Sequence, residues 1–203
     1  MASGSSDGGS DAFGVASVPA RISLTEKQIF TALRGVLADF LTPGIPIIRA
    51  QVNRVPEPAQ ADFVLMSPIR RERLATNIVA YHDDPITPAN AVATLEMPTE
   101  ITYQLDVHGP ASTENAQIIA TVLRSEQACD AFAATGHDIA PLYASDPHEM
   151  PFINAEQQFE WRWIVEACIQ ANIIVTLPQQ FADKVTVTPI PIDLEPDFLI
   201  PVP

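Results

Sequence analysis

The sequence predicts an α+β fold: a single domain with a mainly antiparallel or mixed sheet, flanked by two principal helices, with extended N- and C-terminal tails. Three observations lead there. Two segments carry apolar residues at helical spacing, and several others alternate apolar and polar residues with a period of two. No obligatory strand–helix–strand repeat is visible, so the strands need not be parallel. A chain of 203 residues, 47% of them hydrophobic, can bury one good core. No internal linker separates two patterned halves, so one domain is the simpler reading.

The first element is residues 1–20, a Gly/Ser-rich arm expected to be flexible because it holds too little apolar surface to offset ordering. The folded domain is expected over 21–188. Ser23 with Glu26 forms a candidate capping box. Ile29, Phe30, Leu33, Val36, Leu37, Phe40 and Leu41 then recur at helical spacing until Pro43-Gly44 stops them. Residues 47–53 and 62–69 read as strands across a Pro-rich turn, and 74–83 as a third candidate. Residues 92–99 read as irregular or a short strand. From Ile101 to Gly109 the alternation is clean: Ile101, Tyr103, Leu105 and Val107 face one way, while Thr102, Gln104, Asp106 and His108 face the other. Ser112 or Thr113 caps a second helix with apolar face Ile118, Ile119, Val122 and Leu123, which runs with a break to Thr135. Residues 159–176 favour one long strand by β-branched and aromatic content. Residues 185–192 supply a last strand. The tail 189–203 is Pro-rich, yet Ile190, Ile192, Leu194, Phe198, Leu199 and Ile200 make it costly to leave wet. It is expected to lie on its own domain or on a neighbouring subunit.

Composition excludes several functions. The formal net charge is −14, and residues 138–203 hold 10 acids against 2 bases. A dense phosphate-binding surface does not fit that balance. Arg49, Arg54, Arg70, Arg71 and Arg73 form the one basic cluster. It reads as a solvated or salt-bridged strand end. A contact surface for an acidic neighbouring subunit and direct nucleic-acid binding are its alternatives. Cys129 and Cys168 are too few for a disulfide scaffold and read as small buried apolar residues. The N-terminal residues lack the basic start and apolar run of a signal peptide, and no stretch approaches the length of a membrane span.

No segment gathers a nucleophile with a base, or a set of metal ligands, so no catalytic, cofactor or metal site is expected. His82 beside Asp83 and Asp84 reads as a hydrogen-bonded turn, because its spacing suits no rigid metal site. Asp106, His108 and Ser112 can be drawn as a hydrolytic triad, but lack a nucleophile elbow. They read instead as a polar strand face that turns into a helix cap. Trp161 and Trp163 read as core packing, with a subunit interface as the competitor. Asp138, Asp146, Glu149 and Glu156 make an acidic stretch that is either a solvated loop or a wall facing DNA.

Several segments stand in an order of their own: QVNRVPEP (51–58), SPIRRERL (67–74), QLDVHGP (104–110), NAQ (115–117), PLYASDPHEMPFINAEQQ (141–158) followed by Trp161, and PQQFADKV (178–185). Together they resemble the neck or tail terminator proteins of tailed bacteriophages, over roughly residues 24–188. The resemblance implies a subunit that assembles as a ring, commonly a hexamer, at the head-proximal end of the tail. There it stops tube growth, joins the tail to the neck and leaves a channel through which DNA passes without specific binding. The implied partners are further copies of the chain, the tail tube or sheath, and neck or head-completion proteins. No membrane is involved, and assembly would take place in the host cytoplasm. By matched segment, Arg54, Arg70, Arg71, Arg73, Asp106, His108, Asp146, Glu149, Asn154 and Trp161 are the implied interface or structural residues, and Arg49 joins them from the basic cluster. A head-completion or head–tail connector protein is the nearest alternative. A small hydrolase and a cellular adaptor are more distant ones.

Overall fold

Two seventeen-residue strands, β5 (Val92–His108) and β10 (Arg162–Pro178), set the frame. They pair antiparallel along their whole length, from His108 opposite Arg162 to Val92 opposite Pro178. At about 3.3 Å per residue such a ladder runs roughly 55 Å. The computed structural model describes residues 19–50, 58–87, 90–153, 159–181 and 187.

In chain order the remaining strands are β1 (Arg21–Ile22), β2 (Ile47–Arg49), β3 (Phe63–Arg73), β4 (Ile78–His82), β6 (Ile139–Ala144), β7 (His148–Glu149), β8 (Phe152–Ile153) and β9 (Phe159–Glu160). Along one edge of β5 lie β3 and then β4; along the far edge of β10 lie β7, β6 and β1. Only β2 pairs parallel, against β3. The sheet is therefore mixed but mainly antiparallel, as expected. β8 and β9 form a separate two-stranded ribbon.

Three helices, not two principal ones, accompany the sheet: α1 (Glu26–Phe40), α2 (Ser112–Val122) and α3 (Glu126–Ala134). The expected break in the second helix is complete. Ser125 donates through N and Oγ to Val122 O at 2.8 and 2.7 Å, which closes α2 one turn before α3 begins. The α2 stripe is also rotated from the expected one. Ala116, Ile119, Ala120 and Leu123 are buried, while Ile118 is exposed. At the start of α1 the capping pair is Thr25 and Gln28 rather than Ser23 and Glu26; Gln28 Oε1 accepts from Thr25 N at 2.8 Å. That leaves Glu26 free for a tertiary role described below.

The core lies between the helices and one sheet face. Ile29, Leu33, Val36 and Leu37 of α1 pack with Ile101, Tyr103, Leu105 and Val107 of β5 and with Val165, Ala167 and Ile169 of β10. The clean alternation of β5 thus identifies the core face. Its other face, expected to be polar and outward, is buried as well: Thr102, Asp106 and His108 are each nearly inaccessible. Cross-strand neighbours do this. The Phe63 ring stacks on His108 with centroids 4.6 Å apart, and Thr102 Oγ1 meets the buried Cys168 Sγ at 3.6 Å.

Residues 92–99 are regular strand, contrary to the expectation of an irregular or short piece. Pro98 argues against a central strand because it lacks a ladder donor. Here it falls where β3 ends and β4 has not begun, and its carbonyl accepts from Leu74 N at 2.9 Å. The missing donor costs nothing in that gap. β3 likewise runs beyond its expected end, through a register shift between Pro68 and Arg70 that absorbs the other strand proline. The N-terminal arm up to residue 18, residues 51–57, most of the expected strand 185–192 and the tail 189–203 lie outside the described residues.

Candidate functional site

The sequence placed its candidate residues in one basic cluster and a few polar positions. Folding distributes them over both faces and both ends of the long sheet. Arg49 ends β2 and Arg70, Arg71 and Arg73 occupy the outer half of β3, all exposed. The cluster is split, because successive strand residues point to opposite faces. Arg71 turns to the helix side and pairs with Glu26 of α1, whose other oxygen accepts from Tyr103 Oη at 2.6 Å. Burial, with the Glu26 hydrogen bond behind it, pushes the Tyr103 phenol well above its usual range. Arg70 faces the other way and meets Glu72 at 3.3 Å and Glu100 at 3.7 Å. Arg49 and Arg73 have no ion pair among the described residues. The salt-bridged reading therefore holds for Arg70 and Arg71, and leaves Arg49 and Arg73 as exposed cations. Arg54 and Asn154 lie outside the described residues.

Asp106 and His108 belong to a buried polar row. Arg162 donates to Asp106 Oδ1 through Nε at 3.0 Å and Nη2 at 2.6 Å, and Gln104 Nε2 reaches the same carboxylate at 2.9 Å. His108 Nδ1 stands 3.9 Å from Glu160 Oε2. Register brings Asp106 and His108 of β5 together with Arg162 of β10 and Glu160 of β9. Burial is the main influence on His108 and lowers its pKa from the usual value of 6.5, against the opposing pull of Asp106 and Glu160. In the folded chain the ring therefore takes its proton at lower pH than when unfolded. The unfolded state binds more protons in that window, so stability falls as pH drops below about 6.5 towards the folded pKa. Unfolding by urea at stepped pH checks this: His108→Gln is expected to flatten that part of the profile.

Ser112 is fully buried at the start of α2, and Asp106 is taken up by Arg162 and Gln104. His82 does not lie in the expected turn, which begins beyond it at Asp84; it ends strand β4, paired opposite Val92 with its Nε2 3.2 Å from Thr94 Oγ1. Asp84 accepts from Ile86 N, Thr87 N and Asn90 Nδ2, which holds its carboxyl below the ordinary carboxylate range, the Thr87 bond foremost. Among the described residues no group of three His, Cys, Asp or Glu side chains is placed to hold a metal. Asp146 is exposed and pairs with Arg124 at 2.9 Å; Glu149 is exposed in β7 opposite Trp163.

Trp161 corrects the core-packing expectation. It sits between β9 and β10 and is 58% exposed, whereas Trp163 packs on the core. The chain irregularity between the two strands takes Trp161 out of the alternating pattern. With Phe159, which is 76% exposed, it lines an open cleft of about 450 Å³ whose floor includes Phe63 and Pro110. Ile153 and Met150 are exposed near it in sequence. At the opposite end of the ladder a second group of apolar side chains is exposed: Ile22, Val79, Tyr81, Leu177 and Phe181. Sequence reasoning missed this second group. Its signal lay in the length of β5 and β10, which carries both strands past the helices that cover their middles.

The arrangement defines a class first: a single α+β domain whose charged side chains brace the sheet and whose exposed apolar side chains gather at its two ends, a surface suited to contact with other chains. The particular assignment comes from the sequence as a whole. The chain belongs to the phage neck terminator protein family, whose model matches residues 27–193. No curated protein matches it. The resemblance read from the ordered segments 51–58 to 178–185 thereby holds, and family membership supports a structural role in the viral neck and tail.

Proposed function

We propose that copies of this chain close into a ring, with six as the expected number, at the head-proximal end of a phage tail. The ring ends the tail tube, joins it to the neck and leaves a channel for DNA. Its work is binding, with no catalytic step. The match to the family over residues 27–193 carries this reading. The fold supports it in one further respect. Unlike surfaces at the two ends of one rigid sheet allow head-to-tail contact, and such contact closes into a ring when the rotation per copy fits. The exposed acids Asp138, Asp146 and Glu149 suit a wall past which phosphates slide without sticking. Tail and neck components are the partners, and assembly takes place in the host cytoplasm. A connector at the adjacent neck position is the nearest competitor.

Labelling tests the position. A tagged chain added to purified tails lacking it should mark the head-proximal end and stop further tube growth. Label on the capsid portal alone would favour the connector. Substitution tests the surface: Arg49→Glu with Arg73→Glu is expected to reduce end labelling while the urea midpoint changes by no more than about 0.5 kcal/mol in stability. Arg71→Glu should in addition lose roughly 1 kcal/mol, because it removes a partly exposed partner of Glu26.

A further inference from the structure

Two exposed features of the sheet differ in shape and in charge. The first is the cleft walled by Trp161 and Phe159, with Phe63 and Pro110 in its floor. Among the described residues the one charged side chain in its lining is the half-buried Glu160, which also faces His108. Two exposed aromatic rings beside a carboxylate suit a planar cation. The negative ring faces attract it, and the carboxylate accepts its hydrogen bonds.

The second feature is the open edge that runs from β3 into β4, where every residue from 70 to 83 is exposed. Arg73, Val79 and Tyr81 stand opposite Thr99, Leu95 and Ala93, alternate residues of β5, so the three share one face. Arg71 stands opposite Ile101 on that same face and is held by Glu26. Arg73, two residues on, has no ion pair among the described residues. Its neighbours along the face are the exposed Val79 and Tyr81. Trp, Tyr and Arg are the residues that most often carry binding energy at an interface, and here they are divided between the two features.

The two cannot meet within one chain. Phe63 of the cleft stands opposite His108 and Arg73 opposite Thr99, so they lie nine residues, about 30 Å, apart along β5. That is far beyond the reach of an arginine side chain. A second copy brings them together. Each copy then gives its edge to one neighbour and its cleft to the other, the unlike contact from which rings close.

We propose that the Phe159–Trp161 cleft of one copy takes Arg73 of the next, its guanidinium against the Trp161 ring and beside Glu160, with Val79 of the same edge against Phe159. The contact specifies how neighbouring copies meet in the ring, and so rests on that reading.

Charge exchange tests it, with native mass and terminal density on added tail tubes as the readouts. Arg73→Glu and Glu160→Arg should each weaken association about ten-fold or more, since each sets like charges face to face. An equimolar mixture of the two variants should assemble again as alternating copies, because the altered residue of each meets the altered residue of the other. In a Trp163→Phe chain Trp161 is the only tryptophan, and its emission should move to the blue on assembly. Where Glu160→Arg does not fold, Arg73→Glu and Trp161→Ala decide: their combined loss should fall short of the sum of the two. Rings that form unchanged in either variant, folded variants that stay apart when mixed, or losses that add would overturn the contact and leave the ring standing. So would a Trp161 emission that moves only when neck proteins are added, since the cleft would then belong to them. A chain without substitutions that stays monomeric, alone and with tail tubes, would overturn both.

Discussion

Replacing Arg162 by methionine is expected to lower folding stability by about 3 kcal/mol or more. Asp106 is only 5% exposed, and Arg162 supplies two of the hydrogen bonds to its carboxylate, at 2.6 and 3.0 Å. Gln104 alone cannot neutralise the charge that remains. Removing one member of a buried pair leaves the other desolvated without compensation, which costs more than the pair contributes. The double variant Asp106→Leu with Arg162→Met removes both charges and should recover much of the loss. Urea unfolding of the three chains measures the difference. A single-variant loss below about 1 kcal/mol would mean that solvent reaches Asp106 and that the pair acts as a surface contact.

Gly109→Ala is the second large effect, expected at roughly 2–5 kcal/mol from strain and overlap together. Gly109 has φ of +102°, and an added Cβ would stand 2.3 Å from Ala61 O and 2.4 Å from Asp62 Oδ1. The overlap with the Ala61 backbone, at O 2.3 Å and C 2.8 Å, would remain even if the Asp62 side chain swung away. The same junction holds the start of α2, because Asp62 Oδ1 accepts from Ala111 N at 2.8 Å, and Gly109 N donates to Trp161 O at 3.1 Å. Gly44→Ala is the control. Its φ is +93° but nothing lies within 4 Å of the new Cβ, so it should cost only about 1–2 kcal/mol. Equal losses at the two positions would show that the turn at Gly109 relaxes and that the close approach carries no weight.

Much of the fold was legible because local pattern and tertiary packing agree. The α1 stripe from Ile29 to Leu41 and the odd positions of β5 from Ile101 to Val107 form the core in the predicted faces. Where sequence misled, a non-local fact decided. Pro98 looks like a strand breaker until β3 and β4 are seen to leave a gap opposite it. Asp106 and His108 look outward until Phe63 and Arg162, from strands on either side, cover them. Arg70 and Arg71 look like one patch until pleating and the register shift at Pro68 send them to opposite faces. Trp161 looks like a core residue because the interruption between β9 and β10 leaves no mark in composition. The charged candidates were thus found individually, while Glu26, the partner of Arg71, and Arg162, the partner of Asp106, lie 45 and 56 residues away in the chain.

The ring is the central claim, and the native mass of the purified chain, paired with negative-stain images, tests it most directly. Six copies of a 22.0 kDa chain give about 132 kDa and an annulus with an open centre, alone or on the ends of added tail tubes. A 22.0 kDa monomer at every concentration, with no density at the ends of those tubes, would contradict it.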